Sequence, residues 1–531
     1  MEIRQTDCLI IGSGLAGSAF AHYAVQNGLE CSIVSPDSLV TTANSDWAQG
    51  GIIFHDSDDD AQLSEDIMRA ADGAANQEAI NSLIKFGPGL VKSFLIDELD
   101  VDFDREASGT LKYTTEGGHS KARIIYSKDH TGHSILQAVH QKLSKTPGID
   151  QINETAAVDL LTLSHSSVDY SDRFQPLTCI GAYVLDLKTG QIGGIVARST
   201  ILATGGLGQI FSHTTNQDDT YGHGVAMAYR VGARLMDMEY VQFHPTAFYK
   251  KGAPTFLISE ALRGEGGILV NSKGEAFMDS LHPSKSLAPR DFVSRSIHNE
   301  MMREGNNSVF LEMSHLDAET VRQRFPDLYS RCLQYGVDIT DNPIPVTPAA
   351  HYLCGGVHTD LHGRTNIRNL YAIGETACTG LHGANRLAST SLLECLTSAK
   401  FAAQAVAEET TTSDYALLDI RAWESPTADA DMTLINQDID LVKSTMTNYA
   451  GLVRSFERLN RARNLLRELK IEIDEFYAGC KLTKAMLNLR SAVQSALLVV
   501  HAATLNHRSL GCHYREDESE IVNHSPLTSM D

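Results

Sequence analysis

The sequence predicts an α/β fold with a Rossmann-like domain at its beginning. Three features indicate this fold: a glycine-rich turn between two short apolar runs near the N-terminus, two later apolar runs that also end in glycine turns, and long helical segments towards the C-terminus. Strands joined by glycine turns and helices are typical of folds that bind dinucleotides. A dinucleotide is therefore the first expected ligand.

The composition is that of a globular protein with room for several domains. Of its 531 residues, 42% are hydrophobic and 21% are charged, which excludes a mainly disordered chain. Lys and Arg number 44 and Asp and Glu 66, so the net charge is −22 and a nucleic acid partner is not expected. No apolar run approaches the roughly 20 residues of a membrane span. The polar start, Met1 to Asp7, predicts no signal peptide.

Nine cysteines are scattered through the chain without a Cys-x-x-Cys motif. This pattern predicts neither a disulfide framework nor a zinc or iron–sulfur site, so no metal is expected and the predicted location is the reducing cytoplasm. The acidic run from Asp56 to Asp60 is interpreted as a solvated loop and not as a calcium site.

The first apolar run, residues 8–11, leads directly into Gly12-x-Gly14-x-x-Gly17 and then into a helical stretch. In this context Gly12 allows the tight turn, Gly14 lets the backbone approach a pyrophosphate, and Gly17 lets the helix pack against the strand. The pyrophosphate is expected at the helix N-terminus. The cofactor contacts predicted here are Gly12, Ser13, Gly14, Leu15, Ala16 and Gly17.

The second strand lacks the carboxylate that usually ends it and binds a ribose hydroxyl. The chain reads Val34-Ser35-Pro36-Asp37 at this point. Ser35 is the predicted contact and Asp37 is the nearest carboxylate, so the choice between them stays open.

Two later segments favour FAD over NAD. A hairpin, residues 181–197, leads into an apolar strand that ends in Gly205-Gly206, and a strand at 370–373 ends in Gly374-Glu375. A helix is expected from about Ser391, where its N-terminus stabilises negative charge on a reduced flavin. The cofactor residues predicted in these segments are Thr204, Gly205, Gly206, Glu375, Ser391 and Leu392.

Five residues that are cationic or can become so stand beside glycine, proline or a strand end. Arginine forks grip carboxylates in a bidentate manner, so this set predicts a site for a small dianion. Its members are His244, Arg263, Arg290, His351 and Arg386.

Several longer motifs carry a resemblance over nearly the whole chain. They are Trp47 to Gly51 (WAQGG), Ala203 to Gly206, Glu239 to Thr246 (EYVQFHPT), Ser259 to Gly266 (SEALRGEG), Ala288 to Asp291, Ala350 to Tyr352, and His382 to Leu393. With these motifs the chain resembles the succinate dehydrogenase/fumarate reductase flavoprotein family. The resemblance implies an FAD-binding Rossmann-like domain (1–234 and 346–425) split by an α+β capping domain (235–345), and a C-terminal helical bundle (426–531).

The resemblance also implies roles for the cationic set. His244 and Ser259 are expected to bind one substrate carboxylate, and His351 and Arg386 the other, with Ser389 close by. Arg290 matches the arginine regarded in the family as the catalytic proton donor and acceptor. Arginine is a weak acid, so this role requires a desolvated site crowded with cations.

For the cofactor, the resemblance implies contacts in one long segment and at one helix. Where the family usually reads Gly-Asp-Gly, this chain has Gly222-His223-Gly224, which leaves open whether His223 takes over the FAD contact. Membrane-bound members bond the flavin covalently through a histidine where this chain has Asn44, so FAD is expected to bind non-covalently. The segment's predicted contacts are Asn44, Ser45, Asp46, Trp47, Ala48, Gln49, Gly50 and Gly51.

The substrate expected within the family is L-aspartate. The branch that oxidises this amino acid carries a glutamate at the position of Glu116, which is expected to meet the substrate ammonium group. The resemblance then implies hydride transfer to flavin N5, iminoaspartate as the product, reoxidation by O2 or fumarate, and the first step towards quinolinate and NAD. A transient contact with quinolinate synthase stays open. The alternative is a soluble fumarate reductase or succinate-oxidising flavoprotein.

Overall fold

The computed structural model describes residues 2–37, 43–55, 57–409, 419–518 and 529–530. Its strands are β1 (Ile3–Ile11), β2 (Cys31–Val34), β3 (Ile52–Ile53), β4 (Ile124–Ile125), β5 (Ile149–Ile152), β6 (Thr155–Thr162), β7 (Cys179–Asp186), β8 (Ile192–Leu202), β9 (Leu235–Met236), β10 (Val241–Phe248), β11 (Ile268–Val270), β12 (Val309–Glu312), β13 (Ile344–Leu353), β14 (Gly356–His358), β15 (Leu370–Ala372), β16 (Ala377–Cys378) and β17 (Ser529–Met530).

The helices alternate with these strands up to β16 and then follow one another. They are α1 (Leu15–Gln26), α2 (Asp60–Ala70), α3 (Gln77–Leu90), α4 (Thr131–Leu143), α5 (Leu163–Ser166), α6 (His223–Arg230), α7 (Glu260–Gly264), α8 (Arg290–Glu304), α9 (Ala318–Arg324), α10 (Pro326–Gln334), α11 (Ser391–Glu409), α12 (Met432–Tyr449), α13 (Phe456–Gly479) and α14 (Lys484–Leu505).

The main sheet has the Rossmann order β5-β2-β1-β8-β15, with every neighbouring pair parallel. Strand β8 pairs with β1 along one side and has two successive partners within the same sheet along its other side. Its first half pairs with β7 as an antiparallel hairpin, whereas its end, at Thr200–Leu202, pairs with β15. The predicted α/β class and the predicted hairpin are both confirmed. The carboxyl ends of β1, β2, β8 and β15 therefore meet at one edge, where ligands bind in such sheets.

A separate antiparallel sheet, in the order β10-β13-β12-β11, lies between the two parts of the main sheet in sequence. Helices α7 to α10 accompany it, and its core contains buried Phe248, Leu311 and Val346. Strand β13 extends to Leu353, so it crosses the domain boundary predicted at 345/346. The domain limits stay a prediction.

Three long helices, α12, α13 and α14, make up the C-terminal region, and their apolar faces share a core with β8 and β10. Residues 410–418, which precede this region, lie outside the described residues. Within the described ranges, no helix combines the length and hydropathy that crossing a membrane requires.

The prediction of a solvated loop at 56–60 is wrong at one residue. Asp59 is buried, and its Oδ2 accepts a hydrogen bond of 2.6 Å from Nε of the buried Arg123. A distant arginine that folding brings close therefore compensates the charge. Asp56 lies outside the described residues.

Candidate functional site

A continuous cavity lies at the carboxyl edge of the main sheet. At its floor Gly12 has φ +115°, and a Cβ there would stand 2.2 Å from the carbonyl oxygen of Ala203, so only glycine lets the β1 turn touch the end of β8. Gly14 is the N-cap of α1 and faces the cavity, and Ser45 Oγ accepts a hydrogen bond of 3.3 Å from Leu15 N. The glycine turn and the segment that begins at Asn44 thus form one wall.

The cavity brings together the predicted cofactor residues and the predicted substrate residues, with four exceptions, of which Arg263 is described with Glu260 below. Gly17 packs inside the β1–α1 unit, where a Cβ would meet Gly12 O at 2.1 Å. Asp46 turns its carboxylate to His133 Nδ1, at 2.9 Å. A Cβ on Gly206 would meet Glu375 Oε1 at 2.2 Å, so this glycine makes room for a residue that does line the cavity.

The cavity wall fits the dinucleotide that the sequence predicts. The N-termini of α1 and α11 both open towards it, at Gly14 and Ser391, and offer backbone N–H groups to anionic parts of a ligand. Gln49 donates from Nε2 to Leu257 O at 3.1 Å, while its buried Oε1 has no partner among the described residues. A buried acceptor in a ligand cavity requires a donor from the ligand or from water. These groups match FAD.

Two buried arginines are aligned by one glutamine that sequence reasoning missed. Gln242 Oε1 accepts hydrogen bonds from Arg290 Nη1 at 3.1 Å and from Arg386 Nη2 at 3.3 Å. Its Nε2 donates to Asn385 Oδ1 and to the carbonyl oxygen of Arg386. The signal was present, since Gln242 stands two residues before His244 in β10 and thus on the same face of the strand.

The Arg386 guanidinium also lies over the ring of Tyr352, 4.4 Å from its centroid. Tyr352 OH donates to Glu394 Oε2 at 2.9 Å, and His382 Nε2 lies 2.9 Å from the same oxygen. Arg386 Nε is buried and has no partner within the described part of the chain. An aromatic ring therefore holds this cation in place while part of its donor fork remains for a ligand.

His244 and His351 come from neighbouring strands, β10 and β13, and their ring centroids are 5.2 Å apart. His244 Nδ1 lies 3.0 Å from Thr246 O, and His351 Nδ1 lies 2.7 Å from Thr215 Oγ1. Burial, together with nearby positive charge, holds the pKa of both rings well below the ordinary value. Both rings are neutral near pH 7. Each can donate from Nε2 to a carboxylate in the tautomer in which Nδ1 accepts a hydrogen bond, from Thr246 N at 3.2 Å in His244 and from Thr215 Oγ1 in His351.

Glu116 is buried against Gly50 and Ser389. Ser389, which has φ +59°, donates from Oγ to Glu116 Oε2, and a Cβ on Gly50 would stand 2.2 Å from Glu116 Oε1. Burial, and next the negative charge of Glu260, raise the pKa of Glu116 above its ordinary value. The charges of Arg290 and Arg386 act against this shift, but no cation among the described residues forms an ion pair with Glu116, so its carboxylate gains from a cation that a ligand brings.

Glu260 is a second functional residue that sequence reasoning missed. It begins α7, capped by Ser259, and its Oε2 accepts a hydrogen bond of 2.6 Å from Arg290 Nε. Arg263 Nη2 lies 3.3 Å from Glu260 Oε1. Although burial opposes ionisation, Arg290 and Arg263 lower the pKa of Glu260 to about 2. Arg263 itself is fully buried behind Glu260 and does not line the cavity.

The C-terminal helix α14 contributes lining residues that the sequence did not predict. Lys484 and Asn488 face the cavity beside Asp219, which follows the glycine turn of β8. No local motif marks them, because they come within reach of the cavity only through packing of α14 on α6.

The comparisons with known proteins agree with this geometry. A family model described as an FAD binding domain matches residues 7–392. L-aspartate oxidase 1 of Ralstonia nicotianae is 41% identical over 97% of this chain and 96% of its own, and L-aspartate oxidase of Pseudomonas aeruginosa is 39% identical over 98% and 96%. Among solved structures, the FrdA chain of an E. coli quinol fumarate reductase is similar with a TM-score of 0.86 and 25% identity, covering 98% of this chain and 94% of that one.

Proposed function

Because the chain belongs to the L-aspartate oxidase family of FAD-binding flavoproteins, we propose that it oxidises L-aspartate to iminoaspartate at the site between Glu116, Arg290 and Arg386. One observation carries the choice of substrate. Glu116 is a buried carboxylate with a raised pKa, placed among groups that otherwise suit a dianion. A dicarboxylate that also carries an ammonium group satisfies both parts of the site.

The two carboxylates of the substrate bind at separate groups of donors. Ser259, at the start of α7, and His244 receive one of them, and Arg386 with His351 receives the other. Neutral imidazoles and hydroxyl groups give direction to these hydrogen bonds, while the arginines supply the charge. Holding both ends fixes the position of the carbon that bears the amine, and this positioning supplies much of the rate enhancement.

Glu116 binds the ammonium group and accepts its proton. A carboxylate with a raised pKa is a stronger base than an ordinary one, so the transfer is less uphill. Loss of the proton frees the nitrogen lone pair, which forms the C=N bond as the hydride leaves the α-carbon. A bound FAD would supply the hydride acceptor.

Arg290 stabilises the bound substrate, and it acts as the proton donor when fumarate is the electron acceptor. Its guanidinium is fixed by Glu260 and Gln242, so it meets the substrate without reorganising. In that reaction Arg290 donates a proton to the fumarate carbon opposite the one that receives hydride, and Glu260 keeps the arginine oriented.

The remaining parts of the proposal concern how FAD is attached, which molecule reoxidises it, and which biosynthesis uses the product. Asn44 uses its Oδ1 to accept a hydrogen bond of 2.9 Å from Gln217 N and offers no nucleophile to a flavin, which supports non-covalent FAD. All nine cysteines are free thiols, which supports a reducing cytoplasm. We further propose O2 or fumarate as oxidant, with iminoaspartate feeding quinolinate and NAD synthesis, and a transient contact with quinolinate synthase remains part of this proposal.

The decisive experiment is an anaerobic titration of the purified yellow protein. We expect L-aspartate to bleach the oxidised-flavin absorbance and succinate to bleach it little. Bleaching by succinate alone would instead identify a soluble fumarate reductase or succinate oxidase, which the pair of carboxylate-binding groups also fits. If neither dicarboxylate reduces the flavin, the assignment of the pocket is wrong.

Acid precipitation tests the attachment of the cofactor. Non-covalent FAD stays in the supernatant. A yellow pellet would contradict the inference from Asn44 that FAD is bound non-covalently.

A further inference from the structure

Three charged side chains meet where β2 ends. Asp37 follows β2, Asp219 precedes α6, and Lys484 begins α14, and all three line the FAD cavity. Lys484 Nζ lies 3.0 Å from Asp37 Oδ1 and also contacts Asp219 Oδ2. Asn488, one turn further along α14, donates to Asp219 Oδ1 at 3.1 Å.

Lys484 is held at this place by more than its own ion pairs. Further along α14, Arg490 Nη1 lies 2.7 Å from Asp159 Oδ2, and the other oxygen of Asp159 accepts a hydrogen bond from Arg230 of α6. Ser495 Oγ donates to the carbonyl oxygen of Gly222, just before α6 begins. These contacts fix α14 against β6 and α6, so its first turn has a defined position at the cavity.

Two carboxylates that usually contact the cofactor are missing at this end of the cavity. Ser35 stands where a dinucleotide site normally carries a carboxylate. His223 stands where the family usually has aspartate, and burial lowers the pKa of its imidazole to about 4, so the ring is uncharged near pH 7. Asp37 and Asp219 supply carboxylates at neighbouring positions.

We propose that Asp37 and Asp219, bridged by Lys484 of the C-terminal helix, bind the ribose hydroxyl groups of the adenosine half of FAD. Vicinal hydroxyls donate hydrogen bonds, and each carboxylate has about four acceptor directions, more than Lys484 and Asn488 occupy. The C-terminal helical region thereby completes the cofactor site.

Lys484 is required because of the charges around it. Two ionised carboxylates beside each other repel one another and repel the pyrophosphate expected at the N-terminus of α1. Burial disfavours the ammonium form, but hydrogen bonds to Asp219 and Asp37 outweigh this and raise the pKa of Lys484. The ammonium group therefore stays charged at neutral pH and neutralises the pair.

The test measures cofactor binding and does not depend on which substrate is oxidised. Apoprotein is titrated with FAD and with an FAD analogue that lacks the 2′-hydroxyl of the adenosine ribose, following the quenching of flavin fluorescence. We expect the wild type to bind the analogue roughly tenfold more weakly, the effect of one hydrogen bond to a charged group. Lys484→Met should weaken FAD binding by about tenfold or more and reduce the difference between the two ligands.

Lys481→Met is the matched control. Lys481 stands just before the same helix and pairs with exposed Asp429 at 2.8 Å, outside the cavity, so FAD affinity should not change. Wild-type affinity for FAD in Lys484→Met, or equal binding of FAD and the analogue by the wild type, would overturn the proposal. If Lys484→Met does not fold, Asp219→Asn replaces it. The same two comparisons are then made: its FAD affinity against that of the wild type, and its affinity for FAD against its affinity for the analogue. The bleaching of FAD-saturated protein by L-aspartate reports separately on the proposed reaction.

Discussion

The proposed choice of L-aspartate as substrate rests on Glu116. Its carboxylate is buried, accepts a hydrogen bond from Ser389 and has a raised pKa. We predict that Glu116→Gln raises the Kd for L-aspartate by roughly 30- to 150-fold, because about 2–3 kcal/mol of a charged hydrogen bond is lost. The Kd for fumarate, which has no ammonium group, should change less than about threefold. Equal losses for both ligands in spectral titrations would exclude the ammonium contact.

The pH dependence of binding follows from the same carboxylate. Burial, and next the charge of Glu260, raise the pKa of Glu116, so the group is still protonated at pH values where an ordinary glutamate is ionised. The ammonium group needs the ionised form. L-Aspartate affinity should therefore fall as pH drops through this raised pKa and level off above it. In Glu116→Gln this loss of affinity at low pH should be absent. If the loss persists in the variant, a group other than Glu116 causes it.

Gln242 acts through the two arginines that it aligns. Gln242→Leu removes an acceptor shared by Arg290 and Arg386 and leaves their donors without a buried partner. We expect kcat/KM for L-aspartate to fall roughly 100-fold, or about 3 kcal/mol. Gln494→Leu, at a buried glutamine in α14, serves as the control for burial alone.

Helix α14 shows how an element far from the glycine motif comes to shape the site. Asp159 of β6 pairs with Arg230 of α6 at 2.6 Å and with Arg490 of α14 at 2.7 Å. Asp159→Ala leaves two largely buried cations side by side, so we predict a loss of about 2–4 kcal/mol in stability. Thermal unfolding of the holoprotein measures it as a drop in Tm. Asp429→Ala, which breaks the exposed pair with Lys481, should change stability by less than about 1 kcal/mol.

At the level of elements, prediction succeeded where the local pattern was sufficient. The strand, glycine turn and helix at residues 3–26 and the helix that begins at Ser391 are present as expected, because apolar runs and glycine turns specify them locally. The solvated loop failed at Asp59, because Arg123, its partner, lies 64 residues away in sequence. An acidic run does not reveal whether folding will provide a cation.

For the whole molecule, FAD acts as a link between parts that are distant in sequence. The cavity is lined from α1, α6, α11 and α14 and from the antiparallel sheet, so a ligand that fills it would touch elements from distant parts of the sequence. We predict that apoprotein unfolds at a lower temperature than holoprotein and that added FAD restores Tm in proportion to the logarithm of its concentration. FMN, which lacks the adenosine half, should restore less. Equal rescue by FMN would show that the contacts near α14 contribute little.

The sequence by itself determined the fold class, the glycine turn of the cofactor site and most of the residues that line the cavity, because short motifs encode the local geometry each of them needs. The tertiary structure alone decided three further features. Gln242 aligns Arg290 and Arg386. Glu260 pairs with Arg290, and Lys484 lies beside Asp37. Charges and hydrogen bonds act through space over a few ångströms. Residues hundreds of positions apart can satisfy them, and no local pattern records which residues these are.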